Sequence, residues 1–201
     1  MVRQSNLFRL LLLSLMVCLF QATASAETVE LKKAGVAFEA PDGWHRIGAK
    51  ELDKTLKDSD FGTEELNEGV RASTDTLVTL VKNRFMLTGI NPSISVSQYP
   101  GNIVDIKAAM GAVRQFAAKA RKFEQVGEFA YNDLGEFPAG HMIFKYVLVL
   151  KGAVELDVQE ELWVIPMGAN YLTVSVGYAP TSEPETVDTI RKSVATLRKL
   201  N

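Results

Sequence analysis

Hydrophobic and polar positions change period several times along the 201-residue chain. Thr28 to Lys33 alternates apolar and polar residues, and Ala34-Gly35 turns the chain into Val36-Ala37-Phe38-Glu39, which predicts a hairpin. Pro41-Asp42-Gly43 closes it as a turn. Leu52 and Leu56 share a face within 48–57, the pattern of a short helix. Leu77 to Val81 is too short a run to separate a buried strand from a helical turn. After Asn91-Pro92, Ile94 and Val96 alternate with Ser95 and Ser97, as in a half-exposed strand.

Two longer helices are better marked. Ile106, Met110, Val113, Ala117 and Ala120 recur at three- and four-residue steps and predict a helix from about Ile103 to Lys122. Lys119, Arg121 and Lys122 would complement the negative end of its dipole. Ser182-x-x-Glu185 reads as a capping box opening the second helix, with Val187, Ile190, Val194 and Leu197 as its stripe.

Between them lies an antiparallel meander with its apolar residues on even numbers: Met142 to Leu150, then Val154 to Val164, then Leu172 to Tyr178. A three-residue loop, Lys151-Gly152-Ala153, pairs Leu148 with Leu156 and Tyr146 with Val158, whereas a two-residue loop would set apolar against polar. The same reasoning at Met167-Gly168-Ala169 pairs Val164 with Leu172.

The first 26 residues read as an address. Arg3 and Arg9 precede the apolar run Leu10 to Phe20, and small residues follow to Ala24-Ser25-Ala26, the layout of a Sec-type signal peptide of a periplasmic or secreted bacterial protein. The run is too short to span a membrane, so no span is expected after cleavage. Cys18 lies in this segment, and Val17 before it argues against lipidation. The expected mature domain, 27–201, carries 20 basic against 24 acidic residues and no cysteine. That composition excludes disulfide scaffolds and thiol catalysis, and its acidity argues against a nucleic-acid partner. Residues 58–76 hold six acids against Arg71 alone and read as a solvated loop. A calcium loop at Asp58 fails at its sixth position, Thr63, and its twelfth, Gly69.

Chemical motifs are scarce. There is no nucleotide-binding glycine fingerprint, P-loop, nucleophile elbow or zinc-protease motif. His45 and His141 stand 96 positions apart, so no catalytic residue, cofactor or metal is assigned. Arg191-Lys192 and Arg198-Lys199 read as outer-face charges on the last helix. Trp44, after the Pro-Asp-Gly turn, plugs one end of the core or anchors a partner; the core reading is favoured. Trp163 points away from the even-numbered face with Ile143, Val147, Val149 and Ile165, which implies a second covering layer. Glu160 breaks the pattern: the register sets it on the apolar face between Phe144 and Val176. The favoured outcome is a bulge or edge position that turns Glu160 and Glu161 to solvent; the alternative is a buried ligand-binding or catalytic carboxylate with a raised pKa.

Val36-Ala37-Phe38-Glu39-Ala40-Pro41-Asp42-Gly43-Trp44, the strand Asn91-Pro92-Ser93-Ile94-Ser95-Val96, the following helix, Gly140 leading into three strands, and the closing helix after Tyr171-Leu172-Thr173-Val174 together resemble the PsbP-like proteins. The secreted bacterial DcrB-type proteins, which share that fold, show a similar order over about residues 28–200. The resemblance implies an α+β fold, an antiparallel β-sheet sandwiched by helices in one domain. It also implies an accessory protein rather than a catalyst. Members serve partners as different as photosystem II and a nuclear import GTPase, so the fold names no partner. The leading expectation is a non-catalytic accessory protein binding a protein or envelope partner. Two others stand beside it: a small-molecule or lipid carrier with Glu160 in a pocket between sheet and helices, and a hydrolase assembled from Glu160, His141 and a hydroxyl.

Overall fold

The computed structural model describes residues 26–72, 76–84, 89–152 and 154–200. All but the last residue of the address read at 1–26, including Cys18, lies outside them, as do Asp75 and Ala153. The elements in chain order are β1 (Thr28–Leu31), β2 (Val36–Glu39), β3 (His45–Arg46), α1 (Ala49–Lys57), β4 (Ser59–Asp60), α2 (Glu64–Ala72), β5 (Thr76–Val81) and β6 (Ser93–Pro100). There follow α3 (Ile106–Ala117), β7 (Glu124–Leu134), β8 (Phe137–Leu150), β9 (Val154–Pro166), β10 (Asn170–Tyr178), α4 (Pro184–Val194) and β11 (Arg198–Lys199).

Eight strands form one antiparallel sheet in the order β3-β5-β6-β10-β9-β8, with β4 and β7 both alongside β8. The fold is α+β, and both sheet faces are covered. On one face α3 lays Met110 and Ala117 over Met142, Phe144, Tyr146, Val158 and Val164. On the other, Ile190 and Val194 of α4, with Leu197, pack with Trp163, Ile165, Leu172, Val174 and Val176. That second layer is shared with a separate three-stranded sheet, β1-β2-β11, which contributes Val29, Leu31, Val36 and Phe38. Burying each such side chain stabilises the fold by roughly 1.5–3 kcal/mol, so these two layers dominate its energetics.

The opening hairpin forms as expected, with Thr28 opposite Glu39 and Leu31 opposite Val36. The β8–β9 register also matches, with Leu148 opposite Leu156 and Tyr146 opposite Val158. The β9–β10 register does not. Met167 N–H donates to the Asn170 carbonyl at 2.9 Å, closing a two-residue loop, and Leu172 faces Ile165 instead of Val164. One residue of slip turns the whole β10 set over. Leu172, Val174, Val176 and Tyr178 therefore share a face with Ile165, Trp163 and Glu161, on the α4 side. Trp163, Val164 and Ile165 are consecutive and all buried, so the hydrophobic pattern of β9 satisfies either register and cannot choose between them.

Other expectations are corrected by long-range contacts. The acidic stretch 58–76 is not a solvated loop: it supplies β4 and α2. Asp60 accepts from Asn67 Nδ2 (2.9 Å), Gly62 N–H (3.0 Å) and Arg121 Nη2 (3.1 Å), and Leu66 is buried. The helix read to Lys122 ends at Ala117. Beyond it Arg121 N–H donates to the Phe61 carbonyl, its own carbonyl accepts from Val147 N–H, and Lys122 adopts φ 53°. The Ser182 capping box does not form; Glu183 is the N-cap, without a side-chain bond, and Pro184 opens α4. The strand at Ile94 and Val96 is more buried than a half-exposed strand, with Ser97 buried as well. β7 carries no strand signature in the sequence, because Gly127 and an irregularity between Val126 and Ala130 interrupt its alternation.

Candidate functional site

Glu160 and Glu161 are neighbours on β9, and period-two geometry sends them to opposite faces. The β8–β9 ladder is regular from Gly140–Val164 to Leu150–Val154, so the expected bulge at Glu160-Glu161 is absent. Glu160 lies on the α3 face between Phe144 and Gly177, not Val176, because of the slip in β10. It is half-buried, and the Tyr146 hydroxyl donates to its Oε2 at 3.2 Å. Burial pushes its carboxyl up to about 7, against the smaller opposing effect of the Tyr146 bond. Tyr146 is itself pushed well above the ordinary phenol range by burial and the Glu160 charge. Phe144 and Phe61 pack around Tyr146 with ring centroids 5.9 and 6.3 Å away. A carboxyl among aromatic rings, with no cation paired to it among the described residues, stays about half protonated at neutral pH.

Glu161 has the opposite fate. It is 1% exposed, yet Arg191 reaches in from α4 and donates Nε (3.0 Å) and Nη2 (2.6 Å) to Oε1, and the Tyr178 hydroxyl donates to the same oxygen. His141 Nε2 stands 3.5 Å from Oε2, and its ring stacks on Trp163 at 4.4 Å. Burial alone would raise this carboxyl, but His141, Arg191 and Tyr178 together outweigh it and hold Glu161 at about 2. Tyr178 is pushed up to about 12 by burial and by bonding to Glu161. Arg191 is therefore no simple outer-face charge. It ties α4 to the sheet by pairing with a buried carboxylate, which its loss would leave without a charge partner from that helix.

His141 lies on the α4 face and Glu160 on the α3 face, so the sheet separates the two groups that a hydrolytic cluster would need. Trp44 follows a turn closed by its N–H on the Pro41 carbonyl (3.2 Å), and it packs half-buried against the α4-side core. It lines a cleft of ≈ 100 Å³ with Glu27, Thr28, Glu30, Arg46 and Leu80. A wider, shallow hollow of ≈ 410 Å³ lies between α1 and the β8–β9 turn, bounded by Glu51, Lys54, Asp58 and Lys151. Both open at the surface; the larger also touches Thr55 of α1 and Leu150 at the end of β8, so it is an open hollow between that helix and the sheet edge, not an enclosed apolar cavity. Among the described residues no group of histidines and acids is placed to hold a metal ion.

Sequence reasoning located Glu160 and missed Glu161, Tyr178 and Arg191. The partners of Glu161 lie 17 and 30 positions away, and no local pattern joins them.

No family model and no curated protein matches the chain. Solved structures do resemble it. A crystal structure from Bacteroides thetaiotaomicron VPI-5482 is 9% identical with a TM-score of 0.47; the match covers 82% of this chain, which spans 45% of that longer one. The solution structure of cyanobacterial PsbP (CyanoP) from Synechocystis sp. PCC 6803 is 18% identical over 90% of this chain and 95% of its own, with a TM-score of 0.45. Mog1p, a Ran-binding protein of Saccharomyces cerevisiae, is 13% identical over 87% of this chain and 95% of its own, with a TM-score of 0.48. The PsbP-like resemblance read from the sequence thus has a counterpart among the similar structures. These likenesses assign the chain no partner and no activity.

Proposed function

We propose that this protein is a non-catalytic accessory protein that works by docking a protein partner on its surface, outside the cytoplasm. The carrying observation is that, among the described residues, buried side chains pack against both faces of the sheet. Met110 of α3 is fully buried and comes so close to β8 that a Cβ on Gly140 would sit 2.6 Å from Met110 Cγ. A side chain at residue 140 would have to displace Met110 and Ile106 of α3, so glycine there permits the tight fit. On the α4 side the Glu161–Arg191 pair and the Trp163–His141 stack close the layer. The carrier reading needs an apolar pocket between sheet and helix, where these side chains stand. The hydrolase reading needs Glu160 and His141 together, and the sheet divides them.

The extracytoplasmic location rests on the Arg3–Ala26 leader pattern, with 27–201 as the mature domain. Among the described residues no helix is long and apolar enough to cross a membrane. Crosslinking and co-purification from the native envelope tests the proposal. A specific, saturable protein partner is expected; recovery of the protein alone, with a small molecule bound in stoichiometric amount, would overturn it.

A further inference from the structure

The main sheet ends very differently on its two sides. One end is β3, only two residues long. The other is β7, eleven residues long, with β8 on its inner side and, among the described residues, no strand on its outer side. A long free edge presents a row of backbone donors and acceptors and invites another strand. From Ala130 to Leu134 the pairing with β8 is regular, opposite His141 to Phe137, so the outer edge there is a regular template too.

The side chains on this edge select what can add. Residues 124–134 carry Glu124, Glu128 and Asp133, all exposed, and no lysine or arginine. Tyr131, 44% exposed, stands between Glu128 and Asp133. A second copy pairing through β7 would bring acids against acids in a low-dielectric contact, and the shift between Val126 and Ala130 further spoils a symmetric fit. A cationic strand meets the opposite balance: its backbone completes the ladder while its charges neutralise Glu128 and Asp133.

We infer that β7 is a β-addition site for an extended segment of a partner protein in which Lys or Arg residues flank an apolar side chain that packs on Tyr131. This rests on the reading of the molecule as a partner-binding protein and names the surface it uses.

The test uses the full mature chain and three synthetic seven-residue probes: Thr-Lys-Thr-Val-Thr-Lys-Thr, which sets Lys and Val on one face, the same peptide N-methylated at alternate positions, and its counterpart with Glu for Lys, which should not bind. Affinity is read by fluorescence anisotropy and location by amide hydrogen exchange. The Lys-Val peptide is expected to slow exchange within 124–134. Alternate N-methylation, which keeps the charge but blocks the ladder, should weaken it about tenfold or more. The double variant Glu128→Lys/Asp133→Lys, at exposed positions and checked by circular dichroism, should cost a comparable factor. Equal binding of the N-methylated peptide would mean charge attraction without strand addition and would overturn the inference. So would protection confined to other segments, or self-association through β7. A native partner still captured at full yield by the double variant would refute this surface while leaving the binding reading intact. Failure of the wild-type protein to capture any partner would instead remove that reading, with the peptide result standing separately.

Discussion

Glu160→Gln should make the protein more stable at pH 8 and leave it nearly unchanged at pH 5. In the unfolded chain the carboxyl titrates near 4.5, and in the folded protein burial holds it at about 7. Between those values the folded state keeps a proton that the unfolded chain has released. Raising the pH through this window therefore favours unfolding, and the loss is complete above 7. A shift of that size corresponds to ~3 kcal/mol at about 1.4 kcal/mol per pH unit, and because Glu160 is only half-buried, water screening reduces it to roughly 1–3 kcal/mol. Glutamine keeps the shape and can still accept from Tyr146, but it has no charge to desolvate. Urea unfolding of both proteins at pH 5 and pH 8 measures the effect. Wild type should lose roughly 1–3 kcal/mol more than the variant between the two pH values. A variant no more stable than wild type at pH 8 would mean that Glu160 is ionised in contact with water, and would refute the reasoning.

Three further outcomes follow from other contacts. Arg191→Ala leaves Glu161 buried with only Tyr178 and His141 beside it, and should cost roughly 2–3 kcal/mol in urea unfolding at pH 7, below the usual range for a buried pair because Arg191 is partly exposed; a loss under about 0.5 kcal/mol would count against the tether. Because Glu161 is held at about 2 against an ordinary 4.5, its contribution is full above pH 4.5 and vanishes as pH falls through 2, so the cost of Arg191→Ala should shrink toward pH 2. Asp60→Ala removes the acceptor of Asn67, Gly62 and Arg121 and should speed amide exchange across Glu64–Ala72, by about 1–3 kcal/mol of local opening free energy, while β9 stays protected. Gly135→Ala places a methyl 1.9 Å from the Leu197 carbonyl oxygen at a residue with φ 58°, and should destabilise by on the order of 2 kcal/mol or more, read as a lower melting temperature.

What the sequence made legible was the local part of the fold. The Lys151-Gly152-Ala153 loop and the even-numbered apolar residues of β8 and β9 agree on one register, and that register is the one found. At the next hairpin the same rule failed because β9 is apolar on both faces near its end, so loop geometry alone decides. In the acidic stretch, charge density hid a helix whose start is nonetheless marked: the Thr63 hydroxyl accepts from Leu66 N–H, and Glu64 and Glu65 occupy the first turn. That stretch is held by local bonds of Asp60 with Asn67 and Gly62 and is joined to the rest of the fold by Arg121, 61 positions away from Asp60, which periodicity cannot reveal. The candidate site divided in the same way. Glu160 stood out because a charge on an apolar face violates a local pattern. Glu161 did not, because a Glu-Glu pair reads as a bulge that turns both acids to solvent, and its neutralising partner sits on a helix 30 positions later.

If the protein's own side chains occupy both faces of the sheet, the molecule acts through its surface and retains no small ligand. Native mass spectrometry of the protein released gently from its source, without refolding, tests this most directly. The mass of the polypeptide, alone or with a protein partner, is the predicted result. A lipid or other small molecule retained in stoichiometric amount, and lost on Glu160→Gln substitution, would contradict it.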